Sequence, residues 1–240
     1  MCPNHFLDTS ILLGTRIKWD PQITHVSKYM GVADIHRISS KRAYDEAKGV
    51  LHRNRRVVTQ YIDGLNREFS RPNHPVINVD GIHRFSNYYI ARLRENEKVK
   101  NALSRFSNTH VYEITSVLQG GNTSIDQYKQ KIRMEFQAGL DSLDLDCAAH
   151  DGACIRRYDI CPPVYDTVFS TELAQLMQVM NYLSDVNVLL DTHYIQQQGI
   201  VDCVVFVTTD HEHFLSKKTG IEQILTVITI THPQEHYPAN

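Results

Sequence analysis

Two aspartates follow apolar runs of the kind that form buried strands. Asp8 comes directly after Phe6-Leu7, and Asp210 comes shortly after Val204–Val207. In an open parallel sheet, ligands bind beyond the carboxyl ends of the strands, so these two carboxylates can be neighbours there. Two close carboxylates repel each other and favour protonation unless a cation neutralises them. Oxygen ligands of this kind suit Mg²⁺ or Mn²⁺ rather than zinc.

Two further acidic residues lie where helices are predicted. Glu46 lies on the apolar face of a predicted helix, because it is three residues after Ala43 and four before Val50. A carboxylate on a buried face needs a partner or a metal. Asp185 begins another predicted helix, where the helix dipole stabilises an anion. The simpler alternatives are a turn residue for Asp8, a salt bridge with an arginine for Glu46 and a helix cap for Asp185.

Asp191, six residues after Asp185, is the competing ligand. On a helix of about 3.6 residues per turn the two side chains point about 120° apart, so one metal ion is not easily bound by both. Asp185 is favoured because apolar or small residues follow it at three, four and seven positions: Val188, Leu189 and Thr192. Seven positions after Asp191 stands Gln198, which is a poor core residue. The sequence therefore predicts Asp185 as the ligand.

The elements that would position these residues alternate between strands and helices. Strands are predicted in four apolar runs: 6–7, 76–79, 203–207 and 226–230. Ser39 and Ser40 are predicted N-caps of the helix that carries Glu46. Because the strand runs are apolar throughout, they indicate a mainly parallel sheet with helices on its faces. The sequence therefore predicts an α/β fold.

Four segments of the chain resemble the motifs of PIN domains, and they occur in the same order. Segment 6–13 looks like the opening strand of that family, with Asp8 in the position of its first metal-binding aspartate. Segment 38–47 is similar to the second motif, a serine-led helix that carries a glutamate. Segment 185–192 resembles the third, an aspartate followed by aliphatic residues and a small residue. Segment 206–214 resembles the fourth, a strand that ends in Thr-x-Asp.

The resemblance implies a Rossmann-like α/β/α sandwich in a single domain spanning residues 1–240. Its PIN-like core would comprise about residues 5–60 and 170–232, and a helical or irregular insertion would occupy about 65–165. The family consists of metal-dependent nucleases that usually act on RNA. The resemblance therefore implies an endoribonuclease that hydrolyses phosphodiester bonds of single-stranded or structured RNA. Four residues are expected to hold Mg²⁺ or Mn²⁺ and to be catalytic: Asp8, Glu46, Asp185 and Asp210.

Phosphodiester hydrolysis requires a nucleophilic water, neutralisation of the negative charge on the phosphate, and in-line geometry of attack. One or two divalent ions can supply all three. Thr9, Ser10 and Thr208 are near enough in sequence to orient the ligands or to contact a phosphate. Residues 41–105 hold 14 basic and 7 acidic side chains, whereas residues 106–240 hold 7 basic and 17 acidic ones. A basic segment can bind phosphates, or it can attract the acidic half of the same fold. The predicted RNA-binding residues lie in it: Arg53, Arg55 and Arg56.

Two alternatives imply other functions. The first is a PIN-like module that binds RNA or protein without cleaving it, although the presence of all four acidic residues favours activity. The second is a phosphatase with an aspartate nucleophile, which requires a second aspartate two residues after Asp8, where Ser10 stands. RNA is the predicted partner, and both an antitoxin-like or other protein partner and a homodimer are left open.

A second set of metal-ligand residue types has the pattern C-x2-H-x3-C-x6-C: Cys147, His150, Cys154 and Cys161. All four types bind zinc, but the spacing matches no standard zinc finger. Intracellular cysteines are usually small apolar core residues, so zinc binding is left open. Among the 13 histidines, His211 is predicted to affect the carboxylate site because it is adjacent to Asp210.

Composition limits the class of protein. A chain of 240 residues, 42% hydrophobic, can form one large domain or a smaller one with an insertion. Its net charge of −2 excludes a uniformly basic nucleic-acid-binding protein and an acidic disordered tail. No apolar run approaches the roughly 18 residues of a membrane helix, and residues 1–7 do not resemble a signal peptide. The five cysteines are few for this length and odd in number, which argues against a complete disulfide framework. No standard nucleotide-binding motif occurs. We therefore expect a soluble, cytoplasmic protein with no membrane partner.

Overall fold

The computed structural model describes residues 2–71, 76–145, 156–158 and 165–237. Within it the chain forms two compact units. The first comprises Met1–Arg16, Pro21–Lys48 and Ser142–Asn240, and the second comprises Ile17–Asp20 and Gly49–Asp141. The insertion at about 65–165 stays a prediction, because a division into compact units does not show that one segment is an insertion into the other.

The first unit contains a five-stranded sheet in which each pair of neighbours is parallel. The strands are β1 (Asn4–Leu7), β2 (His36–Ser40), β3 (Arg156–Tyr158), β4 (Val204–Val207) and β5 (Ile228–Thr231). Their order in the sheet is β3-β2-β1-β4-β5. Parallel neighbours need long crossover connections, and helices lie in these connections here. The prediction of an α/β fold with a parallel sheet is confirmed.

Ten α-helices occur in the described residues: α1 (Thr9–Gly14), α2 (Ile23–Met30), α3 (Lys41–Phe69), α4 (Val79–Arg92), α5 (Glu97–Gln119), α6 (Asn122–Leu145), α7 (Tyr165–Val168), α8 (Ser170–Val179), α9 (Leu183–Gln197) and α10 (Lys218–Ile224). The second unit contains α4, α5, the later part of α3 and most of α6. In the parts of the chain that the structure describes, none of these helices combines the length and the hydropathy needed to cross a membrane.

β1 and β4 are adjacent strands of the sheet, with β1 at its centre, and both are largely buried, as their apolar sequences predict. Phe6 pairs with Phe206 in the parallel register, and their ring centroids lie 5.9 Å apart in a stacked arrangement. Buried aromatic pairs of this kind contribute both apolar area and specific ring contacts to the core. Because the strands are parallel, their carboxyl ends meet at one edge of the sheet. The residues that follow them therefore lie together.

The helix starts in this unit follow from side-chain caps. α1 begins directly after β1, because the Asp8 side chain accepts a hydrogen bond from Ser10 N. α3 begins after β2, where Ser40 Oγ accepts a hydrogen bond from Ala43 N at 3.2 Å. The predicted N-cap at Ser40 is therefore confirmed, and Glu46 lies in the second turn of the helix it begins.

β2 is not predicted by its sequence, because most of its buried side chains are polar. Arg37 is buried, and its guanidinium donates hydrogen bonds to Tyr29 O at 3.0 Å and to Val32 O at 2.7 Å. Ser39 Oγ donates to Leu7 O of the neighbouring strand at 2.8 Å. Buried polar groups are tolerated when they are hydrogen-bonded in this way, and they leave no apolar pattern in the sequence.

The predicted strand at 76–79 is wrong. Residues 76–78 are not in a strand, and α4 begins at Val79. The Asn78 side chain accepts a hydrogen bond from Gly81 N at 2.8 Å and so caps this helix. A short apolar run is compatible with either a strand or a buried helix, and here the local cap decides for the helix.

The core of the second unit combines aromatic packing with a buried hydroxyl cluster. Tyr61 OH lies 2.6 Å from Ser86 Oγ and 2.9 Å from Ser107 Oγ, and the two serine oxygens are 2.8 Å apart. Trp19 packs edge-on against Phe106, with ring centroids 5.1 Å apart. Each of these three hydroxyl groups therefore has a partner, which is what allows the cluster to lie among apolar side chains.

Cys2 and Cys203 form a disulfide, with their Cα atoms 5.8 Å apart. The bridge joins the segments that lead into β1 and β4, the same two strands whose carboxyl ends meet. It is reinforced by the Asn4 side chain, whose Nδ2 donates to Cys203 O at 3.2 Å. The count of five cysteines did not indicate this pair, and the pairing depends on strands that are far apart in the sequence.

Candidate active site at the carboxyl ends of β1 and β4

Asp8 is the first residue after β1 and is almost fully buried, with 4% of its surface exposed. Its Oδ2 accepts hydrogen bonds from Ser10 Oγ at 2.8 Å, from Ser10 N at 3.3 Å and from Thr208 Oγ1 at 2.8 Å. Its backbone N donates to Val207 O at 3.1 Å, which connects it to the end of β4. Ser10 and Thr208 therefore hold this carboxylate in one orientation.

The loop after β4 is held against the start of α1. Thr209 N donates a hydrogen bond to Ser10 Oγ at 3.0 Å, and Asp210 N donates to Thr208 Oγ1 at 3.0 Å. Ser10 Oγ lies 3.2 Å from Thr208 Oγ1. These bonds keep the Thr208-Thr209-Asp210 segment beside Asp8, so the first and fourth predicted acidic residues are brought together.

Burial raises the pKa of Asp8. Loss of water around the carboxyl is the largest cause, because it disfavours the charged form. The hydrogen bonds from Ser10 and Thr208 lower the pKa, while the negative charge of Asp210 raises it. A cation bound near both carboxylates would stabilise their charged forms together.

His213 connects two of the other acidic residues. Its Nδ1 lies 2.8 Å from Asp185 Oδ2 and 3.4 Å from Asp210 Oδ2. Its backbone N donates to Asp210 Oδ1 at 3.0 Å. The imidazole is buried, with 6% of the residue exposed, so its contacts with the carboxylates are shielded from water. Asp185 and Asp210 therefore both lie close to the same ring nitrogen.

Glu46 reaches the same region through a threonine. Thr9 Oγ1 donates a hydrogen bond to Glu46 Oε2 at 3.0 Å and lies 3.5 Å from Ala43 O. Thr9 is the residue after Asp8, so the second predicted acidic residue contacts the chain neighbour of the first. Glu46 is half-buried on α3, as the apolar face of that helix predicts.

These contacts relate all four predicted acidic residues to one edge of the sheet. Asp8 and Asp210 interact electrostatically, Asp185 and Asp210 share His213, and Glu46 is bonded to Thr9. In the residues that the structure describes, however, no three His, Cys, Asp or Glu side chains are arranged as a metal-binding group. The Asp8 carboxylate is held by the Ser10 and Thr208 hydroxyls, the Glu46 carboxylate by the Thr9 hydroxyl, and Asp185 and Asp210 lie close to the His213 ring.

Asp191 has different partners from Asp185. It is 1% exposed, accepts a hydrogen bond from the Tyr165 hydroxyl, and its Oδ2 lies 3.4 Å from Arg42 Nε. Burial raises the pKa of Asp191, while the Tyr165 and Ser40 hydroxyls and the Arg42 charge lower it. Asp191 therefore belongs to a buried polar cluster with Tyr165, Ser40 and Arg42, and Asp185 is the one that contacts His213.

The predicted RNA-binding arginines belong to the second unit. Arg56 Nη2 donates to Glu95 Oε1 at 2.7 Å, and Arg55 Nη1 donates to Gln137 Oε1 at 3.3 Å. Arg53 is exposed on α3. Two of the three side chains thus have partners within their own unit, and an exposed ion pair such as Arg56–Glu95 contributes little to stability. The predicted zinc ligands Cys147, His150, Cys154 and Cys161 lie outside the described residues.

Two residues of this site were missed by the sequence analysis. His213, rather than the exposed His211 beside Asp210, contacts the carboxylates. Tyr182, three residues before Asp185, places its ring against the His213 ring with centroids 4.8 Å apart. The only sequence signal for His213 is its position three residues after Asp210, because residues three apart meet in a turn.

Comparisons with known protein families, characterised proteins and solved structures found no match for this chain. The function of the site must therefore be argued from its own residues. Its chemistry is that of a buried aspartate, three further carboxylates, and hydroxyl groups that orient them.

Proposed function

We propose that this protein is a PIN-like, metal-dependent endoribonuclease whose core is a Rossmann-like α/β/α sandwich. The observation that carries the proposal is the position of Asp8 and Asp210 after two adjacent parallel strands. The strand order supports it, because doubly wound sheets of order 3-2-1-4-5 bind ligands beyond the carboxyl ends of their strands.

The donor set fits a hard divalent cation. Its ligand atoms would be carboxylate oxygens, which suit Mg²⁺ or Mn²⁺, and because burial raises the pKa of Asp8, a nearby cation would stabilise its charged form. The residues that would hold the ion are Asp8, Glu46, Asp185 and Asp210. When bound, such an ion lowers the pKa of a coordinated water and neutralises charge on a phosphate.

The chain's own hydroxyl groups would fix the carboxylates in advance. Ser10 and Thr208 hold Asp8 Oδ2, and Thr9 holds Glu46 Oε2. Groups that are already oriented need little rearrangement as charge develops in the transition state. His213 holds Asp185 and Asp210 near each other against their mutual repulsion.

The proposed substrate is single-stranded RNA, which follows from the family resemblance. Arg53, Arg55 and Arg56 are proposed to contact its phosphate backbone. Contacts of this type release counterions, so RNA affinity should fall steeply as the salt concentration rises.

The proposed location is the cytoplasm, where RNA substrates are abundant. The Cys2–Cys203 disulfide is unusual there, because cytosolic thiols are normally kept reduced. Alkylation of free thiols at the moment of cell lysis, followed by mass spectrometry, tests the location. Alkylated Cys2 and Cys203 support the cytoplasm, and an intact bridge places the protein in an oxidising compartment.

The test of the proposed activity is cleavage of single-stranded RNA by purified protein in Mn²⁺ or Mg²⁺. We expect cleavage that stops when a chelator is added and that is abolished by Asp8→Asn and by Glu46→Gln. Asp45→Asn is the matched control, because Asp45 is adjacent to Glu46 but exposed and paired with Lys41. Cleavage by Asp8→Asn at the rate of the parent would overturn this site assignment.

A second candidate is a PIN-like module that binds RNA or protein without cleaving it. It is favoured by one observation, the lack of a three-residue metal-binding group among the described residues. Isothermal titration with Mn²⁺ separates the two functions. Binding of the ion that is lost in Asp8→Asn supports the nuclease, and no binding by the parent chain supports the module.

A further inference from the structure

Tyr182 is an exposed aromatic residue beside the candidate active site. It is the N-cap residue of α9, with an extended backbone, and 53% of its surface is exposed. Its ring lies 4.8 Å from the His213 ring, with the two planes inclined by 42°. Since His213 contacts both Asp185 and Asp210, the exposed tyrosine is one side chain away from two of the four acidic residues.

The ring is held in place before any ligand binds. Its backbone leads into α9, a helix that is buried along most of its length, and its ring contacts the buried His213. A tyrosine has few rotatable bonds, so a ring that is already restrained loses little conformational entropy on binding. The neighbouring Leu183 is also exposed and extends the apolar surface beside the ring.

We propose that Tyr182 is a stacking platform for one base of a single-stranded nucleic acid whose phosphate lies at the candidate active site. This inference rests on the proposed function. Unpaired bases are commonly recognised by stacking on aromatic side chains, and every base offers a π-face for such a contact. Stacking needs neither a metal ion nor a positive charge, so this subsite can bind RNA even in a chain that does not cleave it.

The experiment measures binding of fluorescently labelled single-stranded RNA to the full-length Asp8→Asn chain, in which the RNA is expected to remain intact. The variants to be added are Tyr182→Ala and Tyr182→Phe. The matched control is Tyr112→Ala, because Tyr112 is 77% exposed on α5 and belongs to the other unit. A second set of RNAs carries a single abasic position, moved along the strand from one oligonucleotide to the next.

We expect Tyr182→Ala to weaken RNA binding by roughly 5- to 150-fold, the range measured for loss of one stacked base. Tyr182→Phe and Tyr112→Ala should bind like their parent, since the first keeps the ring at position 182 and the second removes a ring that belongs to the other unit. One abasic position should weaken binding to the parent but have no further effect on Tyr182→Ala. The slope of affinity against salt should not change, because no charge is removed.

Three results would overturn the proposal. Equal weakening of intact and abasic RNAs by Tyr182→Ala would show that the residue acts only by supporting His213. Unchanged affinity in Tyr182→Ala would show that no base stacks there, as would a chain that binds no RNA. Failure of the proposed nuclease looks different: the chain then binds RNA with the Tyr182 dependence described above but does not cleave it in Mn²⁺ or Mg²⁺.

Discussion

The buried charge of Asp8 has a cost in stability. Its pKa is raised in the folded chain, mainly by burial, so the folded state binds more protons than the unfolded state between the two pKa values. Stability is therefore lost as the pH rises through this window, and at neutral pH the carboxylate destabilises the fold. Asp8→Asn removes the charge and keeps an oxygen that can accept from Ser10 and Thr208. We expect its midpoint of thermal unfolding at neutral pH to rise by a few degrees.

Mn²⁺ should reverse the order of the two midpoints, so that the parent unfolds at a higher temperature than Asp8→Asn. An ion that binds only the folded parent raises its midpoint in proportion to the logarithm of the ion concentration, whereas Asp8→Asn should respond weakly. Asp45→Asn serves as the control and should behave like the parent in both conditions. A lower midpoint for Asp8→Asn without metal would contradict the stated cost of the buried charge.

Asp185 and Asp191 should differ in what their loss disturbs. Asp191 is also buried with a raised pKa, but it differs from Asp8 in having a cationic partner, Arg42. Asp191→Asn removes that pairing, so we expect it to lower the free energy of unfolding by about 1–3 kcal/mol. Its Mn²⁺-induced rise in melting temperature should remain. Asp185→Asn should lose that rise and cost little stability. Urea unfolding and thermal melts with and without Mn²⁺ measure both effects, and the opposite pattern would make Asp191 the ligand.

Residue types at strand ends could be predicted from the sequence, but their contacts could not. Asp8 and Asp210 follow apolar runs, so their proximity follows from the rule for parallel sheets. His213 has no such signal, because its contact with Asp185 joins residues that no periodic pattern relates. Side-chain networks between distant segments depend on the folded geometry.

At the scale of elements, α1 packs closely against α2 at Gly14. A Cβ added to Gly14 would lie 2.7 Å from Val26 Cγ2, and Val26 is fully buried. Gly14→Ala must therefore displace a core side chain, and we expect a loss of about 1–3 kcal/mol in the free energy of unfolding. Urea unfolding monitored by circular dichroism measures it.

Gly49→Ala is the matched control for Gly14→Ala. Gly49 is an exposed residue within α3, and a Cβ added there meets no atom within 4 Å. Alanine should stabilise the helix by about 0.5–1 kcal/mol, since it lowers the entropy of the unfolded chain. If the two alanines had the same effect, the close approach of α1 and α2 would not be a source of stability.

His5 on β1 makes the sheet sensitive to acid. Tyr29 OH lies 3.0 Å from its Nδ1, and the His236 ring centroid is 4.5 Å from its own. The pKa of His5 is lowered from 6.5 to about 4. Burial is the largest cause, the positive charge that His236 can acquire comes next, and Arg37 contributes further. The unfolded chain therefore binds more protons between these pH values. Stability contributed by neutral His5 is complete above about pH 6.5 and is lost as the pH falls towards 4.

We expect this loss to reach up to about 3 kcal/mol for His5 alone. Urea unfolding at a series of pH values measures it, and His5→Asn should flatten the dependence because the amide does not titrate in this range. His52→Asn is the control, since His52 is exposed on α3. Equal acid sensitivity of the His5→Asn chain and its parent would contradict the prediction.

Elements with apolar patterns or clear caps could be predicted, and elements with polar interiors could not. β1, β4 and the start of α3 have such signals. β2 lacks them, because Arg37, Ser39 and Ser40 are buried through hydrogen bonds instead of apolar contacts. Its place in the sheet depends on carbonyl groups of the preceding segment, which a local pattern does not contain.

At the scale of the whole molecule, the Cys2–Cys203 disulfide should stabilise the fold strongly. The two residues are 201 positions apart, so the bridge removes much of the conformational freedom of the unfolded chain. We expect reduction to lower the free energy of unfolding by about 4 kcal/mol. Urea unfolding with and without dithiothreitol measures the change, and Cys203→Ala should be insensitive to the reductant. A parent chain that is equally insensitive would show that the bridge is absent in solution.

The same bridge closes residues 2–203 into one covalent loop. A protease that cuts once between Cys2 and Cys203 opens the loop but releases no fragment, because both pieces remain joined through sulfur. On a gel such nicked protein keeps its full mass until a thiol is added, and only then separates into two bands. The segment after Cys203, which carries Asp210 and His213, lies outside the loop, so a single cut there gives two bands on a denaturing gel without any thiol.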